Sequence, residues 1–141
     1  MLRGSIAVLA LTVAVAALAS TAGARTSKIA FFRTPSGNIG CIAATDPTAL
    51  RCDIKSGLRP RPAAPNACHL AYGDSLEMSA TGRPGYTCHG DTVFDPRAKV
   101  LAYGKTFTFG PFRCTSQSVG LTCRNRAGHG WFLSRANYRR F

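Results

Sequence analysis

The sequence predicts an all-β fold, a small antiparallel barrel or sandwich stapled by disulfides, and three observations predict it. Beyond residue 24 no stretch carries apolar residues at helical spacing over three turns. Short runs bounded by Gly and Pro recur instead, the pattern of half-buried strands joined by turns. Six cysteines, Cys41, Cys52, Cys68, Cys88, Cys114 and Cys123, all fall in this part of a chain of 141 residues, and an even count in a small exported domain is the form a disulfide framework takes.

Export itself is read from residues 1–24. Arg3 is a short positive head, an apolar run follows from Ile6 to Ala19, and Ala22-Gly23-Ala24 ends the segment with the small residues a signal peptidase accepts. The run is short of the ~20 residues that span a bilayer comfortably. Ala17-Leu18-Ala19 offers a second cut site. Residues 1–24 are therefore expected to be a signal peptide and 25–141 a single β domain, secreted, periplasmic or envelope-associated, with no transmembrane segment in the mature chain.

Strands are expected over 28–33, 38–44, 49–54, 75–80, 86–89, 98–103, 105–109, 112–115, 120–124 and 131–134. Lys105-Thr106-Phe107-Thr108-Phe109 alternates cleanly, so Phe107 and Phe109 should share the buried face. Leu58 to Pro65 holds three prolines and two arginines and is expected to be a surface loop. No internal repeat is visible.

The cysteine pairing follows from the turns between them. Cys41 and Cys52 bracket Asp46-Pro47, and Cys114 and Cys123 bracket Ser118-Val119-Gly120, so each pair is placed to face across a hairpin. Cys68 and Cys88 are then left to each other. A zinc site built on Cys68-His69 and Cys88-His89 is disfavoured, because neighbours on an extended strand point to opposite faces and an exported chain oxidises its thiols. No metal and no cofactor are expected.

The charge is strongly positive, +12, from 18 Lys and Arg against 6 Asp and Glu. It falls in two groups, Arg51, Lys55, Arg59 and Arg61 early and Arg124, Arg126, Arg135, Arg139 and Arg140 late. Guanidinium forks suit phosphate or carboxylate, and outside a cell the anions on offer are envelope polymers and head groups rather than specific nucleic acid. General surface charge without a ligand is the competing explanation. Catalytic constellations are weak. Asp74, Glu77 and Asp91 are candidates for a carboxylate pair, but their spacing does not bring two together. His129, within Gly128-His129-Gly130, is the histidine best placed for a site, although the glycines serve a turn equally well.

Several strings together, Thr34-Pro35-Ser36-Gly37-Asn38-Ile39-Gly40-Cys41, Arg51-Cys52-Asp53-Ile54, Gly90-Asp91-Thr92, Gly120-Leu121-Thr122-Cys123-Arg124-Asn125 and Gly128-His129-Gly130-Trp131, resemble an uncharacterised family of small exported bacterial proteins. There the position of Trp131 more often looks like Phe. The resemblance implies export, one domain and paired cysteines, and brings no activity or catalytic residue. The expected function is a non-enzymatic binding or structural domain, with His129, Arg124, Arg126, Arg135 and Arg139 as binding residues and an anionic envelope polymer or another exported protein as partner. A small extracytoplasmic hydrolase using His129 or Asp91 is the alternative. An inhibitor of lysozyme-like enzymes ranks last, since such targets are commonly basic and would repel this chain.

Overall fold

The computed structural model describes Gly23 and residues 26–141, and the expected leader lies, Gly23 apart, outside the described residues. Eleven strands form two sheets: β1 Ile29–Arg33, β2 Ile39–Thr45, β3 Thr48–Ile54, β4 Ser75–Ser79, β5 Gly85–Tyr86, β6 Lys99–Val100, β7 Thr106–Phe109, β8 Phe112–Gln117, β9 Gly120–Arg124, β10 Gly130–Leu133 and β11 Tyr138–Arg140. The first sheet runs β5-β4-β3-β2-β1-β6 and is antiparallel except where β6 joins β1. The second is an antiparallel meander, β11-β10-β9-β8-β7. No helix of the described residues is long and apolar enough to cross a membrane.

The sheets pack face to face as a sandwich, and the residues that alternate inward explain why. Phe32, Cys41, Cys52 and Leu76 stand side by side across β1 to β4. Phe107, Cys114, Cys123 and Trp131 form the matching row across β7 to β10. The two rows meet where the Phe32 and Phe107 rings stand 4.4 Å apart. Leu50, Ile54, Met78, Phe112, Leu121 and Leu133 fill the remaining interior. Each such side chain, fully buried, stabilises the fold by about 1.5–3 kcal/mol.

The three disulfides are those the turns indicate: Cys41–Cys52, Cys68–Cys88 and Cys114–Cys123, with no free cysteine. The first and last join directly opposed residues, with Cα atoms 4.1 and 4.0 Å apart, and sit at the centre of each sheet with no exposed surface. Cys68 and Cys88 instead tie the long loop after β3 to the segment after β5.

Four elements differ from expectation. The strand expected over 86–89 stops at Tyr86, because Cys88 is held by Cys68 and His89 swings out to bridge Ala71. The strand expected over 98–103 pairs only at Lys99–Val100, since Ala102 to Lys105 turns the chain into the second sheet, with Gly104 at φ 80°. Phe107 and Phe109 are half-buried, stacked against each other on the open edge strand β7. Strand β11 was not foreseen, because three residues carry too little alternation to mark a strand.

The connection from β5 to β6 positions the site. These strands lie at opposite edges of the first sheet, so residues 87–98 must cross its outer face. The Phe94 ring lies flat on Gly40, where a Cβ would come within 2.6 Å of it, and Lys55 covers the same ring at 4.8 Å from its centre.

Candidate functional site

The crossing strap explains a buried polar cluster. Arg51 and Asp53 alternate outward on β3 and would face water on a bare sheet, yet they are 9% and 3% exposed because the strap covers them. The Arg51 guanidinium grips Asp53 twice, Nε to Oδ1 at 2.9 Å and Nη2 to Oδ2 at 3.2 Å, and reaches Asp91 Oδ1 with Nη1 at 2.8 Å. Asp53 Oδ2 also accepts the Val93 amide at 3.0 Å and the Thr92 hydroxyl at 3.2 Å. One carboxylate thus holds its own strand's arginine and two residues of the strap. Burial works against the Arg51 charge, but the hydrogen bonds to Asp91 and Asp53 outweigh it and raise its pKa. Asp91 is pulled below the usual carboxylate range by Arg51.

His89 completes the cluster, with 7% of its side chain exposed. Its Nδ1 lies 2.6 Å from the Asp91 carbonyl oxygen and its Nε2 2.9 Å from Asp74 Oδ1. A carbonyl and an ionised carboxylate only accept, so this geometry favours the doubly protonated ring, in which both nitrogens donate. Burial lowers its pKa, but the bonds to Asp74 and the Asp91 carbonyl more than offset this, and it is raised. An imidazolium with both protons engaged is no general base, and Asp91 is held by Arg51. The arrangement is a clasp.

The candidate carboxylates are therefore brought together only in part. Asp74 and Asp91 converge on His89, whereas Glu77 is exposed on β4 opposite Arg51. The spacing argument missed this meeting, which depends on the strap. His129 lies elsewhere, in the turn from β9 to β10. Its amide donates to Asn125 Oδ1 and its carbonyl accepts from the Asn125 amide. Asn125 Nδ2 in turn donates to the carbonyls of Ser79 and Gly82 at 3.0 and 2.8 Å, pinning the second sheet to the first. Gly130 lies so close to the Cys123 carbonyl that a Cβ there would run into it. Gly128-His129-Gly130 serves this junction. Cys68 and Cys88, the thiols of the zinc reading, are bonded to each other.

The basic residues are sorted by the fold as well. Of the early group, Arg51 is inside the clasp, Lys55 lies over Phe94 and Arg61 donates to the Tyr72 carbonyl. Of the late group, Arg124 and Arg139 share the outer face of the second sheet, Arg139 beside Phe132 on β10 with its guanidinium 5.9 Å from the ring. Arg126 and Arg135 sit in the turns at opposite ends of β10. Arg113, which the sequence reading passed over, stands directly opposite Arg124, both exposed. The Cys114–Cys123 pairing implies that neighbouring pair, so it was legible in principle. Thr106, Thr115 and Thr122 form a hydroxyl row on the same face.

A cleft of about 530 Å³ opens where the edge strands β5 and β11 meet. Tyr86 and Tyr138 share a hydrogen bond of 2.7 Å across it, and the Arg140 guanidinium lies 4.1 Å from the centre of the Tyr86 ring while donating to the Pro84 carbonyl. Burial, then the bond to Tyr86, push the Tyr138 pKa up to about 12.

Compared with protein families, the chain matches the family of unknown function DUF6636 over residues 7–141. The chain belongs to DUF6636. No curated protein and no solved structure matches it. DUF6636 membership thus supplies kinship without an activity, and function must be argued from the residues described above.

Proposed function

We propose that this DUF6636 protein is a non-enzymatic domain that binds an anionic polymer outside the cytoplasm, with the outer face of its second sheet as the binding surface. The observation that carries the reading is the division of charge. Every Asp and Glu lies between Asp46 and Asp95, while residues 96–141 hold nine Lys and Arg and neither acid. Four of the six carboxylates are already paired with Arg51, His89 or Arg97. On the second sheet Arg113 and Arg124 are direct cross-strand neighbours, and like charges so placed oppose pairing. A surface that bears this cost with no local carboxylate suits a ligand that brings the negative charge. Three disulfides favour an oxidising compartment, where the anionic chains are envelope polymers.

Immobilised heparin and polygalacturonate test the reading. Binding should persist at about 150 mM salt, where the screening length is ~8 Å. The double variant Arg113→Gln/Arg124→Gln should bind about tenfold more weakly, since each lost phosphate- or carboxylate-type contact removes a counterion-release contribution. Lys28→Gln/Lys55→Gln, with the same loss of charge from the other sheet, should bind nearly as the parent does. Equal losses in both variants, or no binding at that salt, would reduce the property to bulk charge.

A further inference from the structure

We infer that the cleft between β5 and β11 is a specific site for a phosphoryl group, formed by Arg83 and Arg140 with the Tyr86–Tyr138 hydroxyl pair. The inference deepens the anion-binding reading and rests on it for the sign of the ligand, but it concerns a different place on the molecule and a discrete group rather than a chain.

Arg83 and Arg140 line one opening together with Pro60, Pro84, Phe141 and the two tyrosines, Arg139 borders it with its guanidinium turned to Phe132 on the outer face, and no Asp or Glu lines it. Its volume, about 530 Å³, falls within the range of small-molecule sites. Arg140 is pre-organised, because stacking on Tyr86 and the bond from Nη1 to the Pro84 carbonyl at 3.1 Å set the plane of its guanidinium. That leaves further N–H donors on the same fork for a ligand. Arg83 is exposed beside it.

The tyrosine pair adds a neutral donor. Each hydroxyl has one proton, and in the 2.7 Å contact one of them donates to the other. The second proton is therefore unspent, and it points away from the shared bond. Burial and the bond to Tyr86 push the Tyr138 pKa up to about 12, so Tyr138 puts no phenolate in the way of an anion at neutral pH. The two guanidinium charges match a phosphate monoester, which carries about −1.5 to −2 at pH 7, better than a single carboxylate. Planar forks also suit its oxygens.

Strands β5 and β11 are edge strands of the two sheets, joined here by the Tyr86–Tyr138 bond and by Arg140 donating to the Pro84 carbonyl. An anion shared by Arg83 and Arg140 would bridge the same joint.

The test is a 1H–15N NMR titration of the full oxidised protein with inorganic phosphate, then with glucose 6-phosphate, at constant ionic strength made up with chloride. Amide shifts at Gly85, Tyr86, Arg139 and Arg140 should saturate with both probes. Arg83→Gln, an exposed substitution, should weaken both by at least about fivefold, and Tyr86→Phe/Tyr138→Phe, which removes both hydroxyls, should weaken them while the remaining spectrum stays folded. Arg113→Gln/Arg124→Gln should leave phosphate affinity unchanged. Shifts that never saturate, that spread evenly over the basic surface, or that persist undiminished in Arg83→Gln overturn the site. Because Arg83→Gln should leave polymer binding on the outer face nearly intact, failure of the phosphate site and failure of the polymer reading give different results.

Discussion

Asp53 ties its own strand to the crossing strap. It receives two bonds from Arg51 and one each from Thr92 and Val93, all within the covered face of the first sheet. Replacing it by Ala leaves Arg51 buried with only the exposed Asp91 carboxylate for charge, and leaves the Val93 amide unanswered. Removing one partner of a buried pair costs about 3–5 kcal/mol, so Asp53→Ala should lower the unfolding free energy read from denaturant titration by that much. An Arg51→Met/Asp53→Leu pair, which removes both charges, should cost clearly less. His89 makes the clasp sensitive to pH in a defined direction. Its pKa in the folded protein is raised above the ordinary 6.5, so the proton binds more tightly to the folded chain. That stabilisation is complete below about pH 6.5 and is lost as pH rises through the folded value. Thermal midpoints should therefore fall from about pH 6 to pH 8.5, and His89→Gln should flatten this slope. A slope unchanged in His89→Gln would assign it to another group. At Trp131 the ring is fully buried and its Nε1 has no partner among the described residues. The core uses the ring as hydrocarbon.

At the scale of elements, each sheet is organised around one stapled hairpin, and the two differ from the third bridge in access to water. Cys41, Cys52, Cys114 and Cys123 have no exposed surface, whereas Cys88 is exposed and Cys68 half-buried. Thiolate attack requires access, so mild reductant should open Cys68–Cys88 first, with the hairpin bridges surviving until the sandwich unfolds. Timed alkylation followed by peptide mass analysis reads this order directly, and early alkylation of Cys114 or Cys41 would contradict it. Losing the Cys68–Cys88 bridge, whose ends are 20 residues apart, should cost about 3 kcal/mol by the loop-entropy account. The hairpins were readable in advance because turn residues lie between the cysteines and a direct cross-strand pair sets the whole register. Cys41 opposite Cys52 places Gly40 opposite Asp53, and Cys114 opposite Cys123 places Arg113 opposite Arg124. Of the short strands, β5 and β6 were expected in place but longer than they are, and β11 was not readable at this level. Each is held by what lies beside it rather than by alternation of its own.

For the whole molecule, the division of charge follows from topology. The acids of the middle of the chain are drawn to the first sheet and its strap, and the second sheet keeps only cations. The two rows that meet in the core, each Phe, Cys, Cys and then Leu or Trp, also give the sheets a likeness that linear spacing conceals, because β3 and β4 are separated by a long loop while β9 and β10 are joined by a short turn. What the sequence by itself determined was the all-β class, most strands and the three cysteine pairs, since alternation and turn chemistry act over a few residues. It also showed the excess of arginine. Only the tertiary structure decided which of those arginines are exposed and which are spent inside. Arg51, Asp53, His89 and Asp91 become one clasp, and Arg83, Tyr86, Tyr138 and Arg140 one cleft, because the strap and the two sheet edges bring together residues as much as 57 positions apart. Such meetings depend on how sheets stack and where a crossing chain lies, and no local pattern encodes that.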